Sequence, residues 1–181
     1  MDDLYIGKIL AGNSDAFRYF VNKYKNLVYS ITLSIVKDHL IAEEVTQDVF
    51  VNAFKALKNF NRNSKFSTWI YKIAYNEALK KLKKTKVEIL TLDENLQDDL
   101  EDESILSSLH QKEQQFVINK ALEMLTSDES LVLRLFYLEE ENINEVINIT
   151  GWSRSKVKVT LFRARKNMYK AFNNVLNNNQ I

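Results

Sequence analysis

Residues 142–170 read NINEVINITGWSRSKVKVTLFRARKNMYK, which joins a short apolar helix pattern to a longer basic one through a glycine. Asn142 can cap the first helix, and its apolar residues Ile143, Val146 and Ile149 recur at three-residue spacing. Gly151 can adopt the left-handed backbone conformation that a tight turn after a helix requires. These features predict a helix-turn-helix motif.

The second helix of this motif is basic on the outside and apolar on the inside. Residues 151–170 hold seven Lys and Arg and no acid, whereas Val157, Leu161, Ala164 and Met168 follow a buried stripe. In such motifs the second helix enters the DNA major groove with its N-terminal turns. The candidates for base edges are Arg154, Ser155, Lys156, Lys158 and Val159; those for phosphates are Arg163, Arg165 and Lys166. The alternative is a solvated basic helix that closes a bundle, and the charge favours DNA contact.

The rest of the chain also follows helical patterns. Apolar residues recur every three or four positions in residues 17–31, from Asp38 to residue 57, in 66–84 and in 116–138, with Asp15 as a candidate cap for the first pattern. Residues 59–64 are rich in turn formers. With no proline and three glycines in 181 residues, a mostly β fold is improbable. The sequence therefore predicts an all-α protein made of two small helical domains.

The pattern at residues 66–84 interleaves aromatic side chains with lysines. Trp69, Tyr71 and Tyr75 alternate with lysines that include Lys65, Lys72 and Lys80. Aromatic rings that stack on bases, beside cations that pair with phosphates, suit single-stranded nucleic acid. Trp69 also falls on the apolar stripe and is more typical of a core residue.

Other classes of site have little support in the sequence. Cysteine is absent, which removes disulfides, thiolate catalysis and Cys-based zinc sites, and His39 and His110 are isolated. No phosphate-binding glycine loop or nucleophile motif occurs. We expect no enzymatic activity, cofactor or metal. No signal peptide or membrane-spanning run is visible, so we expect a soluble cytoplasmic protein without membrane insertion.

Charge divides the chain into basic and acidic parts. Residues 1–84 hold fourteen Lys and Arg against eight Asp and Glu, whereas residues 85–115 hold two against nine. The acidic part lacks helical apolar spacing and is typical of a flexible solvated linker. A second interpretation places it in a channel built for nucleic acid, but charge alone favours the linker.

Several of these stretches resemble the extracytoplasmic-function sigma factors of the sigma-70 family. Residues 15–17 (DAF), 42–50 (AEEVTQDVF) and 66–76 (FSTWIYKIAYN) are similar to their region two. Residues 131–137, 151–153 (GWS), 157–158 and 161–166 (LFRARK) are similar to their region four. The resemblance implies region two in residues 1–84, a linker in 85–115, region four in 116–172 and a disordered tail in 173–181.

The resemblance also implies partners and roles. The chain would direct bacterial core RNA polymerase to promoters, with Glu44, Gln47 and Asp48 docking the clamp helices of the largest subunit and region four reaching the flap. The minus-ten element would be melted and held by Asn61, Arg62, Lys65, Lys72, Tyr75, Asn76 and Lys80. The last helix would bind the minus-thirty-five element, the acidic segment would thread the polymerase channel, and an anti-sigma factor would regulate the protein.

Three places depart from the family pattern, and two other functions stay open. Ile149 and Thr150, before Gly151, replace the usual aliphatic pair, which affects the packing of the turn. Lys80 stands where an Asp is common, and Thr160 stands where an Arg is common, which affects promoter contacts more than the overall role. One alternative is a stand-alone helix-turn-helix regulator that binds its operator without polymerase. The other is an interaction module that binds core polymerase but starts no transcripts.

Overall fold

The computed structural model describes residues 1–89 and 109–178, and within these ranges the chain is helical without strands. Most of the predicted linker, residues 90–108, lies outside the described residues. The helices are α1 (Asp2–Leu10), α2 (Arg18–Val36), α3 (His39–Ala56), α4 (Phe66–Ile89), α5 (Leu109–Glu123), α6 (Ser127–Leu133), α7 (Ile143–Thr150) and α8 (Arg154–Asn178). A 3-10 turn, Ser14–Phe17, precedes α2, and another, Leu57–Asn59, follows α3. A π-helical segment, Arg134–Leu138, follows α6.

Helices α2, α3 and α4 pack against one another as the first helical unit. Their apolar stripes meet in a core that includes the fully buried Phe20, Ile31, Val49 and Ile70. The Asp38 carboxylate accepts a hydrogen bond from the Ile41 amide at 2.8 Å and so caps α3, which begins next to the residue where the sequence pattern starts. Removing these side chains from water supplies the main drive for the unit to form.

The N-terminus of the chain contains a helix that the sequence analysis did not predict. Helix α1 buries Ile6 against the first unit. The start of α2 also differs from the prediction, because Asn13 caps the 3-10 turn through its side chain and Asp15 lies inside that turn. One buried residue in a nine-residue helix is too weak a periodic signal to be read from sequence.

Helices α5 to α8 form the second unit, and its short helices have strong start signals. Thr126 and Glu129 form a capping box at α6, and Asn142 and Glu145 form another at α7. Each pair satisfies two backbone N–H groups that a helix leaves without partners. These caps explain how helices of seven and eight residues persist between longer ones.

The two units share one continuous core. Helix α2 lies against α6, and α4 lies against α7. The element ends also differ from the sequence boundaries: α4 continues to Ile89, α5 begins at Leu109, and α8 continues to Asn178 through most of the segment expected to be a disordered tail. In this conformation the two units are packed together.

We expect Leu135→Ala to lower the free energy of unfolding by about 2–5 kcal/mol, because it leaves a cavity in a packed core. Leu135 is 0% exposed. Urea denaturation followed by tryptophan fluorescence measures the change. Leu138→Ala is the matched control, since Leu138 is 48% exposed, and its effect should stay within about 0.5 kcal/mol. Equal losses in the two variants would contradict this core.

Candidate nucleic-acid interface

The turn between α7 and α8 sets the direction of the last helix. Gly151 has φ 71° and donates its backbone N–H to the Ile147 carbonyl at 2.8 Å, which ends α7. The Ser153 hydroxyl then accepts the amide of Lys156 at 3.2 Å and caps α8. The predicted helix-turn-helix geometry is therefore present, and Gly151 has the left-handed conformation expected of it.

The outward face of α8 carries most of the predicted duplex-binding residues. Val157, Leu161 and Ala164 are buried against the second unit. The residues exposed on the outer side of the helix are Arg154, Ser155, Lys156, Lys158, Val159, Arg163, Arg165 and Lys166. A basic helix face with an apolar underside is the arrangement that a major-groove helix requires.

Three of these cations are held by neighbouring side chains. Arg154 donates to the Asn144 amide oxygen at 2.5 Å. Lys156 pairs with Asp128 at 3.0 Å and lies over the Trp152 ring at 3.9 Å. Arg165 donates to the Tyr137 hydroxyl at 2.6 Å. Such exposed contacts are weak, so these side chains can exchange them for DNA.

Phe162 is an exposed residue on α8 that the sequence analysis missed. Its ring is 70% exposed and lies one helical turn beyond Lys158. An apolar residue outside the buried stripe, on an otherwise basic face, was the available signal. Apolar side chains at such positions can contact the thymine methyl group in the major groove.

A second basic site lies at the turn before α4. Arg62 and Lys65 line a cleft of about 420 Å³ together with residues of α1 and α2 and the rings of Phe60 and Phe66. Arg62 has φ 60°, a strained backbone conformation that is concentrated at functional sites. Asn61 is exposed in the same turn, and its side chain accepts the amide of Asn63 at 3.2 Å.

The cations around this cleft already pair with acidic side chains. Asp3 lies 3.8 Å from Arg62, and Glu145 lies 3.5 Å from Lys65. The Asp2 carboxylate accepts from Tyr19, Lys23 and Tyr24 at 2.8, 2.6 and 2.7 Å. Burial raises the pKa of Asp2, but these hydrogen bonds outweigh it and hold the pKa below its usual value.

Tyr75 is predicted to contact nucleic acid, but its side chain is buried. Its side chain is 8% exposed, and its hydroxyl accepts a hydrogen bond from Trp152 Nε1 at 3.0 Å. The neighbouring candidates Lys72, Asn76 and Lys80 are exposed, and Lys80 lies 3.4 Å from Glu77. The aromatic ring proposed for base stacking is therefore covered by the second unit in this conformation.

The second unit covers the N-terminal half of α4 through carboxylates. The Tyr71 hydroxyl donates to Glu139 Oε2 at 2.9 Å, and the Ser67 hydroxyl donates to Glu141 Oε1 at 3.4 Å. Burial and the negative charge of Glu139 raise the pKa of Tyr71, so this hydroxyl remains a donor. On the other side of the contact, Ser130 and Arg134 both donate to the Ser34 hydroxyl, at 3.3 and 3.2 Å.

The acidic face predicted to dock a protein partner lies on α3. Glu44, Gln47 and Asp48 are all exposed. Glu44 is tied to α4, because both of its oxygens accept from Lys81 Nζ at 2.6 and 2.7 Å. Gln47 and Asp48 make no hydrogen bond or ion pair within the described parts of the chain, which leaves them available to a partner.

Residues 1–89 and 109–178 contain no group of three acidic or histidine side chains able to hold a metal ion. None of the helices within those ranges is long and apolar enough to cross a membrane. His39, isolated in sequence, hydrogen-bonds the Tyr29 hydroxyl at 2.8 Å.

Comparison with known proteins identifies the family. The family model for Sigma-70 region 2 matches residues 20–87. The ECF RNA polymerase sigma factor SigM of Bacillus subtilis (strain 168) is 30% identical over 154 residues, covering 85% of this chain and 93% of the relative. The chain belongs to the ECF RNA polymerase sigma factors. The stand-alone regulator is therefore not favoured, because this sigma factor matches its relatives well beyond the helix-turn-helix.

Further comparisons agree with this assignment. The ECF sigma factor SigW of Bacillus subtilis (strain 168) is 26% identical over 178 residues, which cover 91% of this sigma factor and 93% of the relative. The fold is similar to that of the sigma factor RpoE solved with the anti-sigma factor NepR from Bartonella quintana. That comparison gives a TM-score of 0.72 at 20% identity over 87% of this chain and 96% of the other. The predicted all-α fold of two helical domains is confirmed.

The contact between Trp152 and Tyr75 can be measured by a double-mutant cycle. We expect Trp152→Phe and Tyr75→Phe to be non-additive by about 0.5–1.5 kcal/mol in the free energy of unfolding, since each removes one partner of the same hydrogen bond. Tyr71→Phe combined with Trp152→Phe is the control, because Tyr71 bonds to Glu139 instead. Additive losses for the first pair would contradict this packing of the units.

Proposed function

We propose that this sigma factor binds core RNA polymerase, directs it to promoters and opens the minus-ten element. The observation that carries the proposal is the outward basic face of α8, which sits on a buried apolar stripe in a chain that also contains a region 2 match. In this role the protein needs no catalytic residue and no cofactor of its own. Its place of action is then the cytoplasm, where the polymerase works.

The minus-thirty-five element is read as duplex by α8. Ser155, Lys158 and Val159 lie on the first turns of the helix, where base edges are within reach. Arg163 and Lys166 lie further along and contact phosphates, which position the helix on the duplex without reading its sequence. Phe162 adds an apolar contact beside them. Arg154, Lys156 and Arg165 join when DNA replaces their present side-chain partners.

The minus-ten element is held in single-stranded form by the first unit. The cleft at Arg62 and Lys65 receives an unpaired base, and Asn61, Lys72, Asn76 and Lys80 contact the strand around it. Extruding a base from the duplex costs a few kcal/mol, so polymerase must contribute further DNA contacts. Tyr75 takes part only after the second unit has moved away from α4, because Trp152 now covers it.

Protein partners use two other surfaces. The exposed Gln47 and Asp48, with Glu44, dock the clamp helices of the largest polymerase subunit, while the second unit reaches the flap. An apolar groove of about 290 Å³, lined by residues that include Ile118, Leu133 and Met168, offers a surface for an anti-sigma factor. The sigma factor RpoE, whose fold is similar, was solved with such a partner, the anti-sigma factor NepR.

The role on the promoter is tested by in vitro transcription. We expect transcripts from defined start points when the chain is added to bacterial core polymerase and genomic fragments. Lys158→Glu should reduce the amount of transcript at least tenfold, because it places a negative charge against DNA. Lys25→Glu makes the same charge change on an exposed position of α2 and should retain the transcripts.

Two results would contradict the proposal. Tight binding to core without transcripts would indicate a factor that only titrates polymerase. A shifted DNA fragment in a gel without polymerase, together with no core binding, would instead indicate a stand-alone regulator.

The docking face is tested separately by affinity for core polymerase. We expect Gln47→Ala combined with Asp48→Lys to weaken binding about tenfold or more, since a charge of the wrong sign now faces a basic partner. Lys158→Glu serves as the control and should bind core as the unaltered chain does. Unchanged affinity of the double variant in a pull-down or titration would show that the docking surface lies elsewhere.

A further inference from the structure

Glu141 is a carboxyl buried at the contact between the two units. It lies between the π-helical segment and α7 and is 3% exposed. Its Oε1 accepts from the Ser67 hydroxyl of α4 at 3.4 Å, whereas its buried Oε2 receives a hydrogen bond from no donor among the described residues. A buried carboxylate oxygen without a donor is costly, because water can no longer solvate its charge.

The charges that act most strongly on Glu141 come from the segments packed around it. Glu145 of α7 is the adjacent carboxyl, and Lys65, before α4, pairs with Glu145 at 3.5 Å. Tyr71 of α4 also faces Glu141, but its hydroxyl donates to Glu139. The positive charge of Arg134 acts on Glu139 and favours its ionised form. The charge of Lys65 therefore acts on two carboxyls, Glu141 and Glu145, while its ion pair is with Glu145.

A proton on Glu141 lets the two adjacent carboxyls, Glu141 and Glu145, form a hydrogen bond. Two carboxylates cannot hydrogen-bond each other, but a carboxylic acid can donate to a carboxylate. Burial, together with the hydrogen bond and charge of Glu145, raises the pKa of Glu141 to about 7. Glu145 stays ionised, because hydrogen bonds from Glu141, Asn142 and Lys65 and the charge of Lys65 lower its pKa.

We propose that Glu141 and Glu145 form a proton-controlled latch between the two helical units, closed when Glu141 is protonated and released when it is ionised. The latch lies on the side of the contact where Trp152 covers Tyr75. Releasing it frees the N-terminal half of α4 for the minus-ten strand. This consequence, though not the latch itself, rests on the proposed function.

The direction of the pH dependence follows from proton linkage. Separating the units exposes Glu141 to water, so that burial no longer raises its pKa, whereas in the closed form its pKa is about 7. The closed form therefore binds the proton more tightly, and closing is favoured as pH falls through 7. Between pH 8 and pH 6 the closing equilibrium constant should rise about tenfold.

The experiment measures the distance between the units in the full chain, without DNA or polymerase. Because the sequence has no cysteine, Lys55→Cys on α3 and Lys170→Cys on α8 provide a unique pair of sites for fluorescent labels. Energy transfer is recorded from pH 8 to pH 6. We expect a transition near pH 7 in which the population of the closed form increases.

Variants assign the transition to the latch. Glu141→Gln should abolish it, since the amide cannot ionise and supplies a permanent donor. Glu145→Gln should keep the transition but move it to lower pH, because the neighbouring negative charge is lost. Glu140→Gln, which changes the exposed adjacent carboxyl, and His39→Gln, which replaces an imidazole near the other half of the contact, should leave it unchanged.

Other results would overturn the latch. A transition that persists in Glu141→Gln, or that disappears in His39→Gln, would assign the proton to another group. A distance that is independent of pH in the unaltered chain would refute the latch, whether or not the protein supports transcription. Circular dichroism of each variant shows that it is folded, and a shifted transition in Glu145→Gln supports the latch independently of Glu141→Gln.

Discussion

The structure depends on the packing of α4, a single helix that serves two partners. One face of α4, with Ile70, Ala74 and Ala78, is buried in the core of the first unit. The adjacent face presents Tyr71 and Tyr75 to the second unit, where they bond to Glu139 and Trp152. Because one helix supplies both faces, the second unit cannot pack against the first without covering aromatic residues that the first unit would offer to a DNA strand.

The electrostatics of the molecule divide into exchangeable and fixed contacts. Arg62, Lys65 and Lys156 pair with acids on the surface, and exposed ion pairs contribute about 0–1 kcal/mol each. A DNA backbone can replace such acids at little cost, with release of its counterions. The contacts of Tyr71 with Glu139 and of Glu141 with Ser67 are partly buried and exclude water, so they are broken only when the units separate.

Local sequence signals were reliable guides to this fold. Asn142 caps the helix that it was predicted to cap, and Gly151 has the positive φ that its turn requires. Such signals depend on residues within four positions of each other, so no knowledge of the tertiary fold is needed to interpret them. Helix α1 was missed, because a single buried residue, Ile6, gives no period.

The helical class, the basic face of α8 and the order of the two units could be predicted without the fold. Each of these follows from residue types at short spacing along the chain. The packing of the folded chain is what covers Tyr75, pairs Glu44 with Lys81, and buries Glu141 beside Glu145. From sequence, Glu141 is expected to be a surface residue, because it belongs to an acidic triplet, residues 139–141. Its burial depends on how two units distant in sequence meet, since a pKa is set by the surroundings that the fold provides.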